Sequence, residues 1–211
     1  DAAAEKGIQV DLELDDAQKK KAEEVAGKVE NERFPNEVLR DKENAKLFLY
    51  LAATNEKPEV IIASLQGLAR TYSHAKTPRR AEVADENYGK VVAAHLESDN
   101  PKIMGFAIEA ASHAIAGKDA SKPVVEGLLK IASSGQNAPA RSMALDMLRR
   151  VRNFQQDKQI ADVFLAALDA KEPYVVASAL FGLRLRATGL VMRNDFLAKC
   201  RKLFSHPAAG V

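Results

Sequence analysis

The chain has 211 residues, 46% of them apolar, with 31 Lys and Arg against 29 Asp and Glu. That length and apolar content support one or two folded domains and exclude a globally disordered chain. No uninterrupted apolar run approaches the ~18–20 residues of a membrane span, and the single Cys200 excludes an internal disulfide framework or a thiolate-rich zinc site.

The stretch GIQVDLELDD alternates Ile8, Val10, Leu12 and Leu14 with Gln9, Asp11, Glu13 and Asp15, a period of two. With no second strand to pair it, residues 1–14 are expected to be an extended or disordered arm. Pairing with the sheet edge of a partner is the alternative. From Asp15, DDAQKKKAEEVAGKVENE predicts a helix, and Pro35–Thr54 predicts its partner. Further helices are expected to open at Pro58, Pro101, Ala138 and Pro173. Each is followed by a break (SHAKTP, AGKDASKP, NFQQD, ATGLVMRND) and a second amphipathic segment. Ser121 and Asp195 are expected N-caps, and Pro78 and Pro123 fall near helix starts. The chain opens at Asp1, as a processed or trimmed protein does, and both a cytoplasmic and a periplasmic location fit.

The four openings stand 43, 37 and 35 residues apart. Seven residues beyond each stand Leu65, Ile108, Leu145 and Leu180; ten beyond stand Leu68, Ala111, Leu148 and Leu183. Six beyond, the residue is always small: Ser64, Ala107, Ala144 and Ala179. Apolar positions at seven and ten share a helical face, and the small residue beside them admits a neighbouring helix. A two-helix repeat of this length is the signature of an array of stacked hairpins, each too small to bury its own apolar faces.

PEVIIASLQGL, PKIMGFAIEAA and PYVVASALFGL share a proline-led pattern that resembles HEAT repeats, and armadillo-like arrays have a similar periodicity. The resemblance spans residues 15–206 and implies an all-α fold: a right-handed superhelix of about five stacked antiparallel helical hairpins, a HEAT-like α-α solenoid. The hairpins would cover about 15–54, 58–98, 101–134, 138–170 and 173–206, with 207–211 as a tail.

The chain offers little chemistry. No nucleophile elbow, P-loop or H-E-x-x-H motif is present. Glu109 and His113 share a helix face, but His95 is the only neighbouring third ligand, and His74 and His206 lie far off in sequence. The histidines read better as packing or capping groups at helix ends. HEAT-repeat iron oxygenases use His-Glu dipeptides, and no histidine here precedes glutamate. Neither an enzyme, a metal site nor a cofactor is expected.

Charge is distributed unevenly. Residues 1–60 carry a net −5, residues 61–138 a net +1 and residues 139–211 a net +6. The basic end draws on Arg149, Arg150, Arg152, Arg184, Arg186, Arg193 and Arg201, with Lys199 and Lys202. Nucleic acid is therefore an alternative partner, since HEAT-like DNA glycosylases hold duplex backbones on a basic concave face. Against it, the first arginines end helices, where cations complement the helix dipole, and no aromatic residues interleave for base stacking. The favoured expectation is a non-enzymatic scaffold whose second helices line a concave surface for a protein or peptide segment. Glu126, Lys130, Lys158, Asp162, Lys199 and Lys202 would make the contacts. A homodimer through an uncapped last repeat, or a place in a longer array, are further alternatives, since Pro207 stands where another repeat could open.

Overall fold

Asparagine and aspartate side chains start the helices where the sequence breaks for them. The computed structural model describes residues 8, 10, 12–41, 43–73, 86–115, 120–134, 137–151, 157–186, 197–199 and 201–202. Ten helices form among these residues, and no strand. They are α1 Asp16–Ala26, α2 Asn36–Arg40, α3 Asn44–Thr54, α4 Pro58–Ser73 and α5 Glu86–Leu96, then α6 Pro101–Ala114, α7 Lys122–Ser134, α8 Ala138–Leu148, α9 Lys158–Ala167 and α10 Pro173–Arg186. Residues 197–199 and 201–202 are also helical.

The local reasons are visible at the helix starts. Asp15 caps α1 in a reciprocal box: its Oδ1 accepts from the Gln18 amide at 2.7 Å while Gln18 Oε1 accepts from the Asp15 amide at 3.1 Å. Asn100 caps α6, Asn137 caps α8 and Asp157 caps α9, each accepting from amides of its helix's first turn. Pro58, Pro101 and Pro173 open their helices at the first position, where the missing N–H has no intrahelical partner. α7 begins at Lys122, directly after Ser121; Pro78 and Asp195 lie outside the described residues.

Two expected helices are broken. The one expected from Asp15 to Glu32 ends at Ala26, with Gly27 at its C-cap. The one expected across Pro35–Thr54 is two, α2 and α3, parted at Asp41, whose backbone is extended (φ −75, ψ 109). Asp41 Oδ1 accepts from the Glu43 amide at 3.0 Å, so a local side-chain bond replaces the helical ladder there. In the N-terminal segment the described residues are neither helix nor strand. Leu14 is buried, and Lys46 Nζ on α3 donates to the Glu13 carbonyl at 2.8 Å.

The chain divides into two compact units, Asp1–Val124 and Val125–Val211. In the first, α4 packs against both α3 and α6, α5 packs on α6 and α3, and α1 covers α3. In the second, α8 and α9 both pack on α10. The repeat columns form the cores. Leu65, Ile108 and Leu145 are fully buried, as are Leu68, Ala111, Leu148 and Leu183; Leu180 is half-buried. Ser64, Ala107, Ala144 and Ala179 are all 0% exposed, as close helix packing requires.

One packing device occurs in each unit. On α3, Phe48 lies over Gly67 of α4, so close that a Cβ there would stand 2.8 Å from the ring. On α9, Phe164 lies over Gly182 of α10, with no room for a Cβ. Phe48 precedes Pro58 in FLYLAATNEKP much as Phe164 precedes Pro173 in FLAALDAKEP, and each glycine stands nine residues past its proline. Both phenylalanines are fully buried, worth about 1.5–3 kcal/mol each in apolar transfer. Cross-helix polar bonds complete the packing of the first unit. Tyr88 of α5 donates to the Ala110 carbonyl at 2.7 Å. His95 Nε2 meets the Ala52 carbonyl at 2.7 Å, and His113 Nε2 the Ala69 carbonyl at 2.9 Å.

Candidate binding cleft

After α1 the chain reverses over four residues. Glu30 and Arg33 exchange both backbone hydrogen bonds at 3.0 Å, and the two residues between them, Asn31 (φ 50) and Glu32 (φ 62), are left-handed. Positive φ at both central positions is the type I′ hairpin geometry. Asparagine tolerates it; glutamate does not, at a cost of about 1–3 kcal/mol.

Two contacts hold the strained turn. Both carboxylate oxygens of Glu32 accept from Lys102 Nζ of α6, at 2.8 and 3.0 Å. Phe34, buried, stacks on Phe48 with ring centroids 4.9 Å apart and planes 21° from parallel. The turn is thereby fixed against α3 and α6.

Between turn and helices lies an open cleft of about 510 Å3 lined by Glu30, Asn31, Glu32, Arg33, Phe34, Pro35, Gln66 and Phe106. Its volume falls within the ~300–1,000 Å3 range of ligand pockets. Phe106, Phe34 and Pro35 supply apolar wall, and Glu30 and Arg33 place opposite charges at exposed positions. Gln66 of α4 is only 9% exposed, yet its carboxamide makes no hydrogen bond among the described residues.

The residues expected from sequence to carry recognition lie elsewhere. Glu126 and Lys130 are exposed, one turn apart on α7; Lys158 and Asp162 are exposed, one turn apart on α9. Lys199 bonds the Asp169 carboxylate, and Lys202 stands 3.9 Å from the same group, so these two ammoniums converge on one internal partner. Of the arginines, Arg149 is bound on two sides. Its Nε donates to Asp146 at 3.1 Å and its guanidinium lies 4.9 Å from the centre of the Phe181 ring. Arg150 and Arg201 are exposed. Arg184 and Arg186 belong to the last turn of α10, their side chains outside the described residues, as are Arg152 and Arg193.

Of the histidines, His95 and His113 meet backbone carbonyls of neighbouring helices. Burial pushes His95 below the ordinary histidine range, against the opposing effect of its bond to the Ala52 carbonyl. Glu109, a turn before His113, is exposed while His113 turns to the Ala69 carbonyl. Among the described residues no group of three or more His, Cys, Asp or Glu could hold a metal ion. Nor is any described helix long and apolar enough to cross a membrane. His74, His206 and Cys200 lie outside the described residues.

The cleft was not legible in sequence because its parts come from three places in the chain. Asn31 and Pro35 in NERFP are turn residues and mark a break. Nothing local announces that Glu32 is left-handed, or that Gln66 lacks a partner. No family model matches the chain, and no match is found among curated proteins or solved structures.

Proposed function

We propose that the chain is a helical-repeat module that binds protein segments rather than a catalyst, its two-helix units stacking in register as the sequence repeat implies. The recurrence of the phenylalanine-on-glycine nest carries this reading: Phe48 on Gly67 and Phe164 on Gly182 are one device made twice, at matching places in the repeat. Contacts between successive first helices, α4 with α6 and α8 with α10, support it. Stacked hairpins of this kind expend one face of each helix on the core and leave the outer faces as broad surface. On α7 and α9 that surface carries Glu126, Lys130, Lys158 and Asp162, both signs at one-turn spacing, suited to a peptide of mixed charge.

A phage-displayed random peptide library panned on the full chain tests the proposal, with a random-sequence DNA duplex titrated across salt as comparator. Enriched peptides that bind after synthesis, with no steeply salt-dependent duplex binding, are the expected result. Absence of enriched peptides would overturn it, and salt-steep duplex binding would then favour nucleic acid.

A further inference from the structure

We propose that the cleft between the 30–35 turn and helices α4 and α6 holds an extended peptide, with the Gln66 carboxamide pairing to the peptide's backbone and an apolar side chain seated against Phe106. This rests on the protein-binding reading above and adds a site apart from the charged faces of α7 and α9.

Four observations converge. Gln66 is nine-tenths buried, lines the cleft and has no protein partner among the described residues. A carboxamide presents one acceptor and two donors on a plane, which matches the C=O and N–H of a peptide group and suits neither a lone cation nor a lone anion. Beside it, Phe106 is half-buried, with Pro35 and Phe34 completing an apolar wall. Glu30 and Arg33, opposite one another across the turn, make no side-chain ion pair among the described residues. They offer a peptide one carboxylate and one guanidinium.

The turn adds preorganisation. Asn31 and Glu32 are held left-handed by the Glu32–Lys102 pair and the Phe34–Phe48 stack, so the cleft wall is set before any ligand arrives. Strained backbone retained at a cleft is where binding function concentrates, and a rigid wall spares the ordering cost of association.

The test uses the peptides enriched from the random library on the full chain. Adding one of them to 15N-labelled protein should shift the Gln66 side-chain NH2 resonances and the amides of residues 30–35. Gln66→Met, which keeps the shape and removes the carboxamide, should weaken binding about tenfold or more, as should Phe106→Ala. Gln66→Met should melt close to the parent, because the carboxamide it removes makes no hydrogen bond among the described residues. Lys20→Ala and Lys90→Ala, at exposed positions on α1 and α5, should leave affinity for these peptides within about twofold, since those residues lie outside the cleft. Peptides that bind but ignore Gln66→Met and Phe106→Ala, and leave the Gln66 signals unmoved, overturn the assignment to this cleft. The protein-binding reading then survives. Should no peptide enrich at all, both fall. If Gln66→Met fails to fold, the shifts in the parent protein decide alone.

Discussion

The same substitution, glycine to alanine, should have opposite effects at two helical positions. At Gly67 a Cβ would stand 2.8 Å from Cδ2, 3.0 Å from Cε2 and 3.1 Å from Cγ of Phe48, against an optimum of ~3.5–4.0 Å for carbon pairs. The ring cannot swing away easily: Phe48 is 0% exposed and stacks on Phe34 at 4.9 Å. Overpacking of this kind costs about 1–3 kcal/mol, and alanine's better helix propensity returns about 0.8–1 kcal/mol. The net for Gly67→Ala is a loss of about 1 kcal/mol. At Gly105 in α6, a Cβ would meet nothing within 4 Å, so only the propensity gain of about 0.8–1 kcal/mol remains. The two variants should differ by about 2 kcal/mol, or about 4–8 °C in the melting midpoint. Circular dichroism melts read the difference, and urea titration checks that the denaturant slope is unchanged. A rise in midpoint for Gly67→Ala as large as that for Gly105→Ala would show that Phe48 does not nest on the glycine, and would remove the shared packing device. Gly182→Ala, against Phe164, should repeat the loss in the second unit.

Other expectations follow from single groups. Ser64 Oγ is buried without a partner where the other repeats carry alanine, so Ser64→Ala should stabilise by about 1–2 kcal/mol and Ala107→Ser should destabilise comparably; urea midpoints moving the other way refute this. His95 is held below its ordinary 6.5 by burial, so the unfolded chain binds the extra proton more readily. The stability it contributes is full above about pH 6.5 and is lost as pH falls below it. His95→Gln, whose amide can still donate to Ala52, should flatten that slope in melts between pH 7 and 5. Lys102→Ala should cost under about 1 kcal/mol, because the Glu32 pair is partly exposed, and raising salt should shrink the difference from the parent.

How far the sequence reached differs between fold and site. All four repeat openings begin helices, and eleven of the twelve column residues are buried, Leu180 being half-buried. Local chemistry suffices for that, since proline at a first turn, Asn or Asp before it and apolar residues seven and ten further on act within one helix. Where a side chain competed with the helical ladder, as at Asp41, the pattern misled, because apolar periodicity continues through a break that a single hydrogen bond creates.

What the sequence by itself determined is therefore the set of helices and the face each one buries. Only the tertiary structure decided which charges and amides remain available. Glu32 meets Lys102 across 70 residues of chain, Arg149 is taken up by Asp146 and Phe181, and Lys199 by Asp169, while Gln66 is buried beside a cleft without a partner. Helix formation is governed by neighbours within a turn or two. Pairing depends on which distant side chains packing brings within hydrogen-bond reach, and no local pattern encodes that.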